Sequence, residues 1–187
     1  MPLSTTNPPV ELLARPLNIG TWPSVAVATA GGTDTACTSG TVYVASIYIP
    51  GTCFVNGIQY LIGSVGGTDK VIATLHDIGG NLLASSAIAG ATVGTAANNQ
   101  QVPITLTGST AATLVASSGY QIIGPTYLYI GLTFNGTTAK FRTIPAQCQS
   151  GSGVSAGSGT QTFGTPAAFT PSATSFTAAT GPIASLY

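Results

Sequence analysis

The chain has 187 residues, of which 44% are hydrophobic and only 4% are charged, with four basic residues, four acidic residues and no net charge. An ordinary soluble domain carries about 25% charged residues, so charge gives this surface little protection against association. Four scattered basic residues argue against a nucleic-acid partner, which requires clustered Lys and Arg. No apolar run approaches the roughly 18 residues of a membrane-spanning helix. The composition favours a surface covered by protein neighbours over a free monomer kept soluble by Thr, Ser, Asn and Gln.

Residues 1–40 are predicted to form an extended arm, because prolines and a Gly/Thr/Ala run break up any regular pattern. Leu17, Ile19 and Trp22 are candidate anchors of this arm against a neighbouring subunit. The N-terminus has neither the positive start nor the apolar stretch of a secretion signal. We therefore expect the chain to stay in the cytoplasm where it is made, or to leave it by a route such as lysis.

Residues 41–144 are predicted to form the folded body. In Thr41–Ile49, side chains alternate between two faces, as in a half-buried strand. The same signal predicts strands near residues 58–62, 70–76, 82–89, 101–106 and 127–134. Pro103 cannot donate a hydrogen bond to a central ladder, so its strand is predicted at a sheet edge or bulge.

The strongest local signal is the Asn135–Gly136 pair between two alternating runs, 127–134 and 137–144. Both residues tolerate positive φ, so this pattern predicts a β-hairpin. On its second strand, Ala139 and Phe141 are expected to face inward.

The number and spacing of these strands define the expected fold class. About six to eight short strands, separated by turns every 8–12 residues, predict an all-β antiparallel sandwich of jelly-roll type. No amphipathic helix of useful length competes with this interpretation.

Residues 145–187 return to Gly, Ser, Thr, Ala and Pro, and are predicted to form a C-terminal arm. Single apolar residues recur along it, which is unusual for a plain disordered tail. They are candidate inter-subunit anchors: Phe163, Phe169, Phe176, Ile183, Leu186 and Tyr187. The arm is expected to lie in a groove on a neighbour; the alternative is that it folds back over its own sandwich.

Groups able to carry catalysis are scarce, so we expect no enzyme, no metal site and no cofactor. Residues 153–157 match the G-x-S-x-G motif of a hydrolase nucleophile, but they lie in low-complexity sequence without a supporting His and acid. His76 and Asp77 are adjacent on a predicted strand and therefore point to opposite faces. A strand-end histidine followed by a turn-capping Asp77 is the favoured interpretation.

The cysteines and tyrosines leave two questions open. Cys37, Cys53 and Cys148 are an odd number without metal-site spacing, which favours free thiols over a Cys37–Cys53 disulfide. Six tyrosines of the body suit either a sugar-binding face or core and interface packing: Tyr43, Tyr48, Tyr60, Tyr120, Tyr127 and Tyr129.

Four segments, in this order and with both arms present, resemble a group of virion proteins encoded by tailed bacteriophages and prophages. They are LNIGTWPS, VIATLHDIGGNLLASS, YLYIGLTFNGTTAKFRT and the closing GPIASLY. The resemblance implies a structural component of the particle, of the capsid decoration (cement) type and often trimeric. It brings no catalytic or metal residues with it.

On this basis the chain is expected to be a decoration protein of the virion, assembled in the host cytoplasm. Its expected partners are the major capsid protein and copies of itself, with no nucleic acid and no membrane. The alternative is a tail-fibre or head-fibre module that binds host glycans. The sequence leaves open whether the chain belongs to the head or the tail.

Overall fold

The computed structural model describes residues 19–20, 33–107, 119–143, 156–171 and 181–187. Within these ranges the chain forms strands and no α-helix, and its strand pairs are antiparallel. The predicted all-β antiparallel sandwich is confirmed, while its jelly-roll arrangement stays a prediction. In the same ranges, no helix is long and apolar enough to span a membrane.

The larger sheet has seven strands and is centred on β12 (Thr126–Phe134). This strand pairs with β3 (Thr41–Ile49) on one side and β6 (Lys70–Asp77) on the other. The remaining strands are β7 (Leu82–Ser85), β8 (Ala91–Thr92), β10 (Leu106–Thr107) and β14 (Ala156–Thr160). The order is β10-β7-β6-β12-β3-β14, and β8 pairs with β6.

The smaller sheet has four strands in the order β1-β15-β5-β9. These are β1 (Ile19–Gly20), β15 (Ala184–Leu186), β5 (Gly57–Leu61) and β9 (Asn99–Pro103). Since β9 is an edge strand, the predicted edge position of Pro103 is confirmed. Two ribbons complete the fold: β4 (Cys53–Val55) with β11 (Tyr120–Ile122), and β2 (Thr33–Ala36) with β13 (Lys140–Thr143).

Strands from all three predicted segments share these sheets. β1 and β2 come from residues 1–40, and β14 and β15 come from residues 145–187. β14 adds to β3, and β15 lies between β1 and β5. The described parts of both predicted arms therefore belong to the sandwich.

The core between the sheets is apolar and includes a cluster of four aromatic rings. Phe134 and Phe141 stack with their ring centroids 5.3 Å apart, and Tyr43 lies 4.6 Å from Phe141. Tyr60 of the smaller sheet approaches Phe134 edge-on at 6.3 Å. All four side chains are at most 5% exposed. The cluster therefore joins the two layers and the β2–β13 ribbon.

The predicted hairpin at Asn135–Gly136 is wrong, although Ala139 and Phe141 do face inward. Both edges of β12 are already occupied by β3 and β6, so β13 pairs with β2 instead. The turn carries the chain from the larger sheet to this ribbon. Asp69 holds the crossover, because its Oδ2 accepts hydrogen bonds from the backbone N–H groups of Thr138 and Ala139 at 2.8 and 2.7 Å.

Candidate binding surface

Among the described residues, the segment 161–171, which we call the strap, lies over the outer face of the larger sheet, away from the core. Gln161 attaches its start, since its Oε1 accepts a hydrogen bond from Thr133 Oγ1 at 2.6 Å. The Gln161 Nε2 donates to the Ala167 carbonyl within the strap at 2.8 Å. Near the other end, the backbone N–H of Phe169 donates to the Gly80 carbonyl at 3.0 Å.

Phe169 is the apolar centre of the strap and is 7% exposed. It clusters with Val42, Val44 and Tyr129 on the outer face. Its ring also lies edge-on to His76, with the ring centroids 4.9 Å apart. A single side chain of the strap therefore shields residues of β3, β12 and β6 from water.

His76 lies beneath the strap and is fully buried. Its Nε2 is 2.9 Å from Thr74 Oγ1, whereas its Nδ1 has no hydrogen-bond partner. Burial lowers the pKa of His76 to about 4, against smaller opposing effects of the Gly80 backbone and the Asp77 charge. The imidazole is therefore neutral at physiological pH and closed off from solvent.

Replacing Phe169 with Ala is expected to uncover His76 and to raise its pKa from about 4 toward the ordinary 6.5, because burial is the main cause of the shift. An NMR pH titration of the imidazole measures this change. Phe163→Ala is the matched control, because Phe163 packs near Gly90 and Lys70 instead. An unchanged His76 pKa in the Phe169 variant would contradict the shielding role of the strap.

The candidate anchors within the described residues fall into three groups. Phe169 and Leu186 are buried in the chain's own interior, so they are not free to contact a neighbour. Phe163 is half-buried against the same chain. Ile183 and Tyr187 are half-buried, and their backbones bond to Arg142 and Gly57. Ile19 lies in β1, paired with Leu186.

The remaining candidate anchors, Leu17, Trp22 and Phe176, lie outside the described residues. For the described part of residues 145–187, the structure shows the alternative in which the segment folds back over its own sandwich.

The described acids are engaged in structural contacts. Asp34 accepts two hydrogen bonds from Ser64 and lies 3.5 Å from the Lys140 ammonium and 3.9 Å from Arg142 Nε. Burial by itself would raise the pKa of Asp34. The hydrogen bonds from Ser64 and the positive charges of Arg142 and Lys140 nevertheless hold this pKa below its ordinary value of 3.8.

Asp77 accepts hydrogen bonds from the backbone and side-chain nitrogens of Asn81, both at 2.8 Å. This geometry confirms Asp77 as the cap of the β6–β7 turn. No group of His, Cys, Asp and Glu suited to a metal ion occurs among the described residues.

Cys37 and Cys53 are free thiols, as favoured by the sequence. Burial raises the pKa of Cys37 to about 12, so this thiol stays protonated and unreactive. Cys148 and the G-x-S-x-G motif, apart from Ala156 and Gly157, lie outside the described residues.

The six tyrosines divide into core and surface positions. Tyr43, Tyr60, Tyr120 and Tyr129 are at most 5% exposed, whereas Tyr48 and Tyr127 are about half exposed, at 48% and 52%. The exposed pair lies cross-strand on β3 and β12, with ring centroids 4.9 Å apart. The strap covers the outer face up to Tyr129, and this pair lies beyond it.

Two further exposed side chains at this end of the sheet were not predicted from the sequence. Phe54 is 51% exposed and Ile123 is 77% exposed. Their neighbours Val55 and Ile122 are buried, so alternation along the ribbon is the signal that could have identified them.

Comparisons with protein-family models, with curated proteins and with solved structures found no match to this chain.

Proposed function

We propose that the chain is a structural protein of a bacteriophage particle, a capsid decoration protein that binds the outer surface of the head and stabilises it. The observation that carries this proposal is that the few acidic groups and the histidine serve the structure of the fold. Asp34, Asp69 and Asp77 are committed to turns and crossovers, and the only histidine is buried and neutral. Such a molecule offers a β-sandwich body with a sparsely charged surface in place of reactive groups.

The resemblance of four sequence segments to phage virion proteins supports a phage particle as the assembly. The partners in this proposal are the major capsid protein and copies of the chain itself, arranged as a trimer. Neither nucleic acid nor membrane takes part, because four basic residues in 187 provide no surface for an anionic partner.

Mass spectrometry of purified particles tests the proposal. A decoration protein is expected in hundreds of copies, in a constant ratio to the major capsid protein. A handful of copies would place the chain in the tail or near the portal, and absence from the particle would refute the proposal. Deleting residues 145–187 is not a useful test, because it removes β14, β15 and the buried Leu186.

The exposed Tyr48–Tyr127 pair favours one alternative function, a glycan-binding module of a fibre. Exposed tyrosine rings combine an apolar face with a hydroxyl group, which suits a sugar as well as a protein. Screening the isolated protein on a glycan array distinguishes the two functions. Binding that is lost in the Tyr48→Ala and Tyr127→Ala variants would support the glycan-binding module.

A further inference from the structure

The ladder between β3 and β12 continues beyond the larger sheet. Ile49 pairs with Thr126 and, after a short interruption, Cys53 pairs with Ile122 in the same register. β4 then leads directly into β5 of the smaller sheet, so this ribbon crosses from one layer to the other. At the interruption the strands are so close that a Cβ on Gly124 would lie 2.6 Å from the Gly51 carbonyl. The bent ribbon closes one end of the sandwich.

The two sides of this bent ribbon differ sharply. On the inner side, Ile49, Val55, Tyr120 and Ile122 are buried in the core. On the outer side, alternate residues of 48–54 and 121–127 are all exposed, and we call this outer side the ridge. Its apolar members are Tyr48, Pro50, Phe54, Ile123, Pro125 and Tyr127.

Exposed apolar groups concentrate on the ridge. Four of its side chains are 48% to 77% exposed, and the other large exposed hydrophobics among the described residues are Ile78 and Ile88. Ile78 belongs to the same end of the sandwich, because it follows Asp77, which pairs with Leu128. A contiguous exposed apolar surface of this kind marks an interaction site more often than a bare monomer surface.

Five of the six charged residues that the structure describes lie at the opposite end. β12 starts at the ridge and ends at Phe134, where Asn135 donates its backbone N–H to the Lys70 carbonyl. Asp69 lies at this far end, where it accepts a hydrogen bond from Ala139. Lys140 follows directly, and its ammonium group lies 3.5 Å from Asp34. The ridge itself contains no charged residue. The sixth, Asp77, lies at the same end as the ridge, but its carboxylate accepts hydrogen bonds from Asn81. Within the described residues, the ridge is therefore uncharged and most of the charge lies at the far end.

We propose that the ridge is the surface through which this chain attaches to a second protein, one that presents an uncharged apolar groove. The inference rests on the proposed function, in which that second protein is the major capsid protein that forms the shell. A charged partner group would lose water against the ridge without gaining an opposite charge, so complementarity requires an uncharged groove. Because the ribbon passes from one layer to the other, we infer that the ridge lies on the outside of its bend, which suits a concave receiving surface.

Another copy of the chain is a poorer match for the ridge. Away from this end of the sandwich, Ile88 is the only large exposed hydrophobic among the described residues, so a second copy could meet the ridge only with its own ridge. Two ridges, each on the outer side of its own ribbon, bury less area against each other than against a groove, so the purified protein is not expected to associate through the ridge.

The test uses purified shells from a strain in which the gene is deleted, mixed with the full-length protein. We expect the double variant Phe54→Ser and Ile123→Ser to bind these shells about a hundredfold more weakly, because two large apolar side chains are no longer buried. Ile88→Ser is the matched control, since Ile88 is 53% exposed but lies outside the ridge. The control is expected to bind like the wild-type protein.

Hydroxyl-radical footprinting of the wild-type protein adds a measurement that does not depend on a folded variant. Tyr48, Phe54 and Tyr127 are expected to be oxidised readily in the free protein and to be protected on the shell. Protection already in the free protein would mean that another part of the chain, or a second copy, covers the ridge, and would overturn the inference.

The binding results separate the two proposals. Equal binding of the double variant and the wild-type protein overturns the role of the ridge and leaves the proposed function standing. Failure of the wild-type protein to bind the shells overturns both.

Discussion

Phe141→Ala is expected to lower the free energy of unfolding by about 3–5 kcal/mol, the usual cost of truncating a buried aromatic residue. Phe141 is fully buried and its ring contacts those of Phe134 and Tyr43. Its backbone also bridges to Ile62 beside the smaller sheet. Truncation leaves a cavity where the two layers and the β2–β13 ribbon meet, so relaxation of one layer cannot fill it.

Urea denaturation followed by tryptophan or tyrosine fluorescence measures this loss. Phe54→Ala serves as the control, because Phe54 is 51% exposed in the free protein. The control is expected to change the free energy of unfolding by no more than about 0.5 kcal/mol. A loss below about 1 kcal/mol in Phe141→Ala would contradict the central place of the aromatic cluster in the core.

Acidification from pH 6.5 to pH 4 is expected to remove about 3 kcal/mol of stability through His76 alone. The unfolded chain binds a proton at His76 near pH 6.5, whereas the folded protein does so only near pH 4. Between these values the unfolded state holds more protons, so stability falls as pH falls. The contribution of the neutral His76 to the free energy of unfolding is complete above pH 6.5 and is lost as the pH falls to about 4.

Urea denaturation at a series of pH values measures the effect, and His76→Gln removes the titrating group. The variant should lose about 3 kcal/mol less than the wild-type protein over this interval. Asp34 acts in a different window, because its lowered pKa stabilises the fold above 3.8 and this contribution disappears only at lower pH. Parallel curves for the wild-type protein and the Gln variant would show that His76 is not buried as described.

Local patterns predicted the two longest strands well, but not the short strands β1, β2, β14 and β15 within the predicted arms. The alternation in Thr41–Ile49 matches β3 from end to end, and the run 127–134 matches β12 within one residue. Alternation is a property of the strand itself, since successive side chains point to opposite faces. The cap at Asp77 is equally local, because its partner Asn81 is only four residues away.

The choice of strand partners could not be predicted in this way. The Asn135–Gly136 signal describes a turn correctly but does not show that β3 and β6 already occupy both edges of β12. The sequence predicts Phe169 as an anchor for a neighbour, because nothing near it in the chain reveals that it packs on Val42, Val44 and Tyr129. The ridge as one surface could not be predicted either. Alternation can indicate that Phe54 and Ile123 are exposed, but not that β4 and β11, which are far apart in the chain, lie side by side.

The central position of β12 has a consequence for how the chain reaches its native state. β3 and β6 are not paired with each other, and both depend on a strand that is synthesised much later. Such non-local pairing slows folding to milliseconds or seconds. During that time two apolar strands have open edges, which are templates for aggregation. The supply of chaperones during synthesis is therefore expected to determine how much soluble protein is obtained.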